Sequence, residues 1–142
     1  MTHPIQVIGM LLATSFTPLS ILLVDDEEPI RDVLSWMLED FGHTVHPATD
    51  GYKALAFLRV KKPVDIVLSD INMPGMDGVA LCRAIEAEFP SLPVLLISGR
   101  PRPDGVKAFV AKPFRADILT REIARLASDV RKVQFDEPQH AH

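Results

Sequence analysis

Four aliphatic stretches of this 142-residue chain each run into a residue that could do metal, acid–base or phosphoryl chemistry. Ile21-Leu22-Leu23-Val24 meets Asp25-Asp26, and Val64–Ser69, broken only by Asp65, meets Asp70. Leu92-Pro93-Val94-Leu95-Leu96-Ile97 ends in Ser98, and Ala108-Phe109-Val110-Ala111 ends in Lys112. Clustered carboxylates repel one another and raise the pKa of at least one member unless a cation neutralises them. Three carboxylates with a backbone carbonyl offer the hard oxygen ligands that Mg²⁺ takes, water completing the octahedron. An aspartate can also attack a phosphoryl group, giving an acyl phosphate. Such a transfer depends on positioning and charge neutralisation, which an ammonium (Lys112) and a hydroxyl (Ser98) can supply. Each residue also has a plainer reading. Asp70 precedes the turn Asn72-Met73-Pro74-Gly75-Met76-Asp77-Gly78, where aspartate is common. Asp25 and Asp26 precede a helix, and Lys112 suits a surface. The turn stretch alone does not choose; the coincidence at four apolar ends favours chemistry.

The elements that must position these residues are legible from periodicity. Ser20–Val24 reads as a buried strand, and Pro29 suits the first turn of a helix whose positive end the preceding acids favour. Ile30, Val33, Leu34, Met37, Leu38 and Phe41 recur at helical spacing, and Gly42 stops that helix. His43-Thr44-Val45-His46 is a wetter strand suited to a sheet edge. Asp50-Gly51 opens a second helix with Ala54, Leu55 and Leu58 inward, closed by Lys61-Lys62-Pro63. Val64–Ser69 is a central strand, since a buried parallel strand is nearly continuously apolar. Val79, Cys82, Ile85 and Phe89 mark the inward face of a third helix, ended by Pro90. Leu92–Ser98 and Ala108–Ala111 are two further strands. From Arg115 a last helix turns Leu119, Ile123, Leu126 and Val130 inward. Alternating strands and helices imply a parallel sheet covered on both faces, with right-handed crossovers. In such a sheet the carboxyl ends of the strands lie along one edge, where ligands bind.

Composition bounds the function. The chain suits one domain with a full core, and 47% hydrophobic with 24% charged residues is the balance of a soluble protein. A formal net charge of −4 argues against a nucleic-acid partner. A single cysteine, Cys82, excludes an internal disulfide framework and fits a reducing, cytoplasmic setting; its surroundings make it a helix-packing residue. The five histidines lack metal-ligand spacing. Met1–Thr17 contains no Lys or Arg, unlike a secretory signal, and its apolar part is shorter than a membrane span.

Taken together, Leu23-Val24-Asp25-Asp26-Glu27, Asp70-Ile71-Asn72-Met73-Pro74-Gly75-Met76-Asp77-Gly78, Ile97-Ser98-Gly99 and Lys112-Pro113-Phe114 resemble the receiver domain of two-component response regulators. The resemblance covers about residues 19–133, leaving 1–18 as an N-terminal extension and 134–142 as a polar C-terminal tail. It implies a flavodoxin-like, doubly wound α/β fold with a five-stranded parallel sheet in the order 2-1-3-4-5. It makes Asp70 the phosphoacceptor, Asp25 and Asp26 acidic metal-site residues, and the backbone carbonyl of Asn72 a further Mg²⁺ ligand. By the same likeness Lys112 is the site lysine, Ser98 the switch hydroxyl and Phe109 the switch aromatic, although a plain core aromatic is the alternative for Phe109. The Lys112-Pro113 bond is similar to one that is cis in the family.

The chain departs from the family between Ser98 and Phe109. A crossover that includes a helix needs about 10–12 residues or more, and Pro101 and Pro103 disfavour helix here. The helix that in typical receivers joins the fourth and fifth strands is therefore expected to be shortened or absent. In those receivers it helps to form the output and dimerisation face.

The expectation is a stand-alone receiver that takes a phosphoryl group onto Asp70, with Mg²⁺, from a histidine kinase or phosphotransfer protein. Its output passes to a separate, unidentified downstream protein, with a homodimer possible and no nucleic-acid or membrane partner. Acting as a phosphorelay shuttle or a phosphate sink is an alternative within this class, and a phosphorylation-independent scaffold is a further one. An aspartyl-phosphate phosphohydrolase of the haloacid-dehalogenase kind is an alternative outside it, but those enzymes place a second Asp two residues after the nucleophile. Here Asn72 follows Asp70 and Glu27 follows Asp25.

Overall fold

The computed structural model describes residues 17–60 and 63–136, with side chains described up to Asp129. Residues 1–16, 137–142, Lys61 and Lys62 lie outside it, so the expected cationic closure of the second helix falls there. Five strands, β1 (Ser20–Val24), β2 (Thr44–Ala48), β3 (Ile66–Asp70), β4 (Val94–Ser98) and β5 (Phe109–Ala111), form one sheet in the order β2-β1-β3-β4-β5. All pairings are parallel. Four helices are present among the described residues: α1 (Glu28–Asp40), α2 (Gly51–Arg59), α3 (Gly78–Glu88) and α4 (Ala116–Asp136). The sequence-derived order is the observed one.

Two apolar layers hold the sheet. Leu23, Leu68, Leu95 and Ile97 on one face meet Leu34 and Leu38 of α1 and Leu119, Ile123 and Ala127 of α4. On the other face Leu22, Val24, Val67 and Leu96 meet Ala54, Leu55 and Leu58 of α2 and Leu81 and Ile85 of α3. Each fully buried Leu or Ile here stabilises the fold by about 1.5–3 kcal/mol relative to exposure.

Several boundaries and faces differ from the sequence reading. On α1 only Leu34 and Leu38 are buried, while Ile30 and Val33, and Phe41 just past its end, are exposed. The helix carries more apolar residues than its single sheet-facing stripe can use. On α3 the buried line is Leu81 and Ile85; Val79, Cys82 and Phe89 pack at the edge of the core. The Cys82 thiol, pushed up to about 11 chiefly by burial, behaves as a packing group that donates to Glu86 Oε1 at 3.4 Å. Strand β2 continues through Pro47, which an edge strand tolerates because its missing N–H faces no partner. Asp65 stays outside β3, where its carboxylate accepts the Ser20 N–H at 2.7 Å. Helix α2 ends at Arg59, whose guanidinium meets Glu88 of α3. On α4 Ala127 joins the buried line and Leu126 is partly buried; the Val130 side chain lies outside the described residues. That helix runs to Asp136, past residue 133.

Between β4 and β5 no helix forms. The connection holds an irregular path with a turn at Asp104-Gly105, where Gly105 has φ 82° and Val106 N–H reaches the Pro103 carbonyl at 3.3 Å. The two prolines and the short span account for this.

Candidate functional site

The register brings the polar strand ends together. Val24 lies beside Ser69, Asp70 beside Ile97, and Ser98 beside Ala111. Asp25, Asp70, Ser98 and Lys112 therefore stand along one edge of the sheet although they are far apart in sequence.

Asp25 leaves β1 with its polar groups already engaged. Its N–H donates to the Ala48 carbonyl at 3.1 Å, and its Oδ1 accepts the Glu27 N–H at 2.9 Å. Its carbonyl accepts from the Arg31 guanidinium at 2.8 Å. Asp25 is buried and Asp26 is exposed.

Asp70 is the last residue of β3 rather than the first of the turn, and it is buried. Ser69 Oγ donates to its carbonyl at 2.8 Å, and the Ile71 N–H continues the ladder to the Ile97 carbonyl at 3.0 Å. The chain then doubles back until the Gly78 N–H reaches the Ile71 carbonyl at 2.8 Å. Gly78 approaches so closely that a Cβ there would collide with the Asp70 carbonyl oxygen and lie 2.8 Å from Ile71 Cα. Gly75, at φ 77°, supplies the left-handed turn that L side chains rarely adopt. Asp77 then caps α3 by accepting the Ala80 N–H at 2.8 Å.

One carboxylate oxygen each from Asp25, Asp26 and Asp70 lie within 4.8 Å of one another. Lys112 Nζ stands 3.5 Å from Asp70 Oδ1. The Asp25 carboxyl is held above its ordinary range, first by burial, with the charges of Asp70 and Asp26 adding; the Glu27 N–H and Lys112 oppose the shift. Such a set of hard oxygens, one of them reluctant to ionise alone, fits a small divalent cation.

Ser98 is buried, and its Oγ accepts from Asn72 Nδ2 at 3.2 Å and from the Arg100 N–H at 3.0 Å. The Asn72 side chain thus ties the turn after Asp70 to Ser98, a contact that spacing did not reveal. Phe109, first in β5 and partly buried, packs against the apolar layer beneath α2 and α3. The Lys112-Pro113 bond is cis. Arg31 is the residue that sequence reasoning passed over. Its one signal was a cation in the first turn of a helix, where the dipole favours acids.

Comparison with known proteins places the chain. The family model for the response regulator receiver domain matches residues 21–124. The C4-dicarboxylate transport transcriptional regulatory protein DctD of Rhizobium meliloti is 40% identical over 125 residues, covering 82% of this chain but 27% of DctD. The chain thus spans about a quarter of that relative. Chemotaxis protein CheY4 of Vibrio cholerae superposes with a TM-score of 0.71 at 30% identity, covering 78% of this chain and 99% of CheY4. NtrX from Brucella abortus, with a TM-score of 0.71 and 33% identity, covers 83% of this chain and 29% of NtrX.

Proposed function

This chain belongs to the response regulator receiver domain family of two-component systems, and from that premise we propose that Asp70 is its phosphoacceptor. The observation that carries the proposal is the meeting of Asp25, Asp26 and Asp70 within 4.8 Å, with Lys112 on the Asp70 carboxylate. The phosphoryl donor is a phosphohistidine on a histidine kinase or phosphotransfer protein. An Asp70 carboxylate oxygen forms the new P–O bond as the P–N bond breaks, and the released imidazole nitrogen takes a proton from water. The product on Asp70 is an acyl phosphate.

Asp25, Asp26, Asp70 and the Asn72 carbonyl would hold Mg²⁺, which would supply charge neutralisation during the transfer. Lys112 adds an ammonium on the same side and, being partly buried, acts where screening by water is reduced. Ser98 has a second task. Its Oγ is engaged by Asn72 and Arg100, and it must turn to donate to a phosphoryl oxygen; Phe109 adjusts with it. Phosphorylation thereby biases a two-state equilibrium that a downstream protein reads.

Incubating the protein and its Asp70→Asn variant with acetyl phosphate and Mg²⁺ tests the assignment. The wild type should gain one hydroxylamine-labile phosphoryl group and the variant none. Equal labelling of both would reject Asp70. Rapid turnover of generic phosphate esters by the wild type would instead favour a phosphohydrolase.

A further inference from the structure

Asp26 poses a positioning problem. It is exposed, and among the described residues no hydrogen bond holds its carboxylate, yet that carboxylate lies against those of Asp25 and Asp70. Like charges so close repel, so the free carboxylate needs a backbone that fixes its direction. The peptide group joining Asp25 to Asp26 sets that direction, and its carbonyl is the one that Arg31 holds at 2.8 Å.

Resting on the reading of Asp25, Asp26 and Asp70 as a divalent-cation site, we propose that Arg31 is a positioning residue for it. Its guanidinium pins the Asp25–Asp26 peptide and so presents the Asp26 carboxylate to the cation.

Three observations support this. Arg31 is partly buried and in no ion pair among the described residues, although Glu27, Glu28 and Asp32 are near it in sequence. A guanidinium with acids close by in sequence normally settles on a carboxylate; this one settles on a carbonyl. The Arg31 N–H bonds the Glu27 carbonyl at 2.9 Å, so the side chain projects from the first turn of α1. That turn is the positive end of the helix dipole, where a cation is locally unfavourable. A residue that breaks a local rule while holding a site's backbone is one whose placement serves the site. The same tie anchors α1 to the turn that carries both acids. The opposite side of that turn is held by the Asp25 N–H on Ala48, so the peptide before Asp25 is tied to β2 and the peptide after it to α1.

The test is a calorimetric Mg²⁺ titration of the full chain as wild type, Arg31→Met and Arg31→Lys, with melting of each metal-free protein. Arg31→Met should weaken Mg²⁺ binding about 10-fold, the lower end for loss of a group that orients metal ligands. Its metal-free melting point should stay within about 2 °C of the wild type, under a kcal/mol for a domain this size. Arg31→Lys, which keeps a donor and the charge, should recover part of the affinity. Unchanged or tighter binding by Arg31→Met overturns the proposal, the latter by showing that Arg31 merely repels the cation. So does a failure of Arg31→Lys to recover any affinity, or a large fall in metal-free melting point in both variants, which would mark a plain structural tie. Absence of Mg²⁺ binding by the wild type itself would remove the cation-site reading and this inference with it.

Discussion

Two neighbouring parts of the sheet's carboxyl edge are built in opposite ways. At the ends of β1 and β3 the backbone around Asp25 and Asp70 is held by several hydrogen bonds. Asp25 is engaged through its N–H, its carbonyl and its carboxylate, and Asp70 sits where Ser69, Ile97 and the returning Gly78 fix the backbone. Beyond β4 the chain is tied at its root by Arg100 and Asn72 on the Ser98 hydroxyl, within its turn by the Val106 N–H on the Pro103 carbonyl at 3.3 Å, and at its far end by the Leu96 N–H on the Ala108 carbonyl at 3.1 Å. It then runs without a helix over a cavity of about 220 Å³ lined by Val79, Cys82, Leu92, Val94 and Val106. The difference teaches that acceptance of a phosphoryl group and its transmission have separate structural requirements. The first needs preorganised oxygens and tolerates little movement. On the proposed reading the second would start from Ser98, which in this chain leads into a connection without a helix.

Gly78→Ala is the sharpest way to break the constrained side. A methyl group directed at the Asp70 carbonyl and Ile71 Cα meets backbone, which cannot move aside as a side chain would. The expected loss is about 3 kcal/mol, which calorimetry would report as a melting point lower by roughly 10 °C. Phosphorylation of the surviving folded protein should fall with it.

Lys112→Met should leave melting nearly unchanged and slow acyl phosphate formation about 100-fold, as removal of one charge-stabilising donor does. Stopped-flow phosphorylation with acetyl phosphate checks this. A rate within threefold of wild type would separate Lys112 from the chemistry.

Asp25→Asn acts in the other direction on stability. The native Asp25 carboxyl holds its proton more tightly than the unfolded one. Its favourable contribution is present below the ordinary value of 3.8 and is lost as pH rises through the raised native value. At neutral pH the ionised group costs stability, so metal-free Asp25→Asn should melt higher than the wild type, and the difference should vanish below pH 3.8. Mg²⁺ should then raise the melting point of the wild type and much less that of the variant.

The smallest effect belongs to the open side. Inserting two glycines after Arg102 should shift the melting point by less than about 2 °C, because lengthening a surface loop costs only tenths of a kcal/mol. Phosphorylation of Asp70 should proceed unchanged. A strong loss of either would show that residues 99–108 brace the site after all.

Most of the fold was legible because burial in a parallel sheet leaves an unmistakable record. Leu22, Leu23, Leu68 and Leu96 sit in apolar runs too short for helices and too continuous for amphipathic strands. The loss of a helix between Ser98 and Phe109 was equally readable, from length and from two prolines. Periodicity marks α1 as a helix but does not choose its inward face: Ile30 and Val33 share the helical spacing of Leu34 and Leu38 yet are exposed. Hydrophobicity reports what a side chain would gain from burial, not whether a neighbour is there to bury it.

By itself the sequence determined the residue types at the strand ends and hence the chemistry open to them: carboxylates at 25, 26 and 70, a hydroxyl at 98, an ammonium at 112. Tertiary structure alone decided how those groups meet. The 4.8 Å grouping of the acids, the Asn72 amide on Ser98 and the Arg31 guanidinium on the Asp25 carbonyl join residues up to 45 positions apart. The physical reason is that such contacts depend on strand register and helix placement, which the whole core sets and no local pattern encodes.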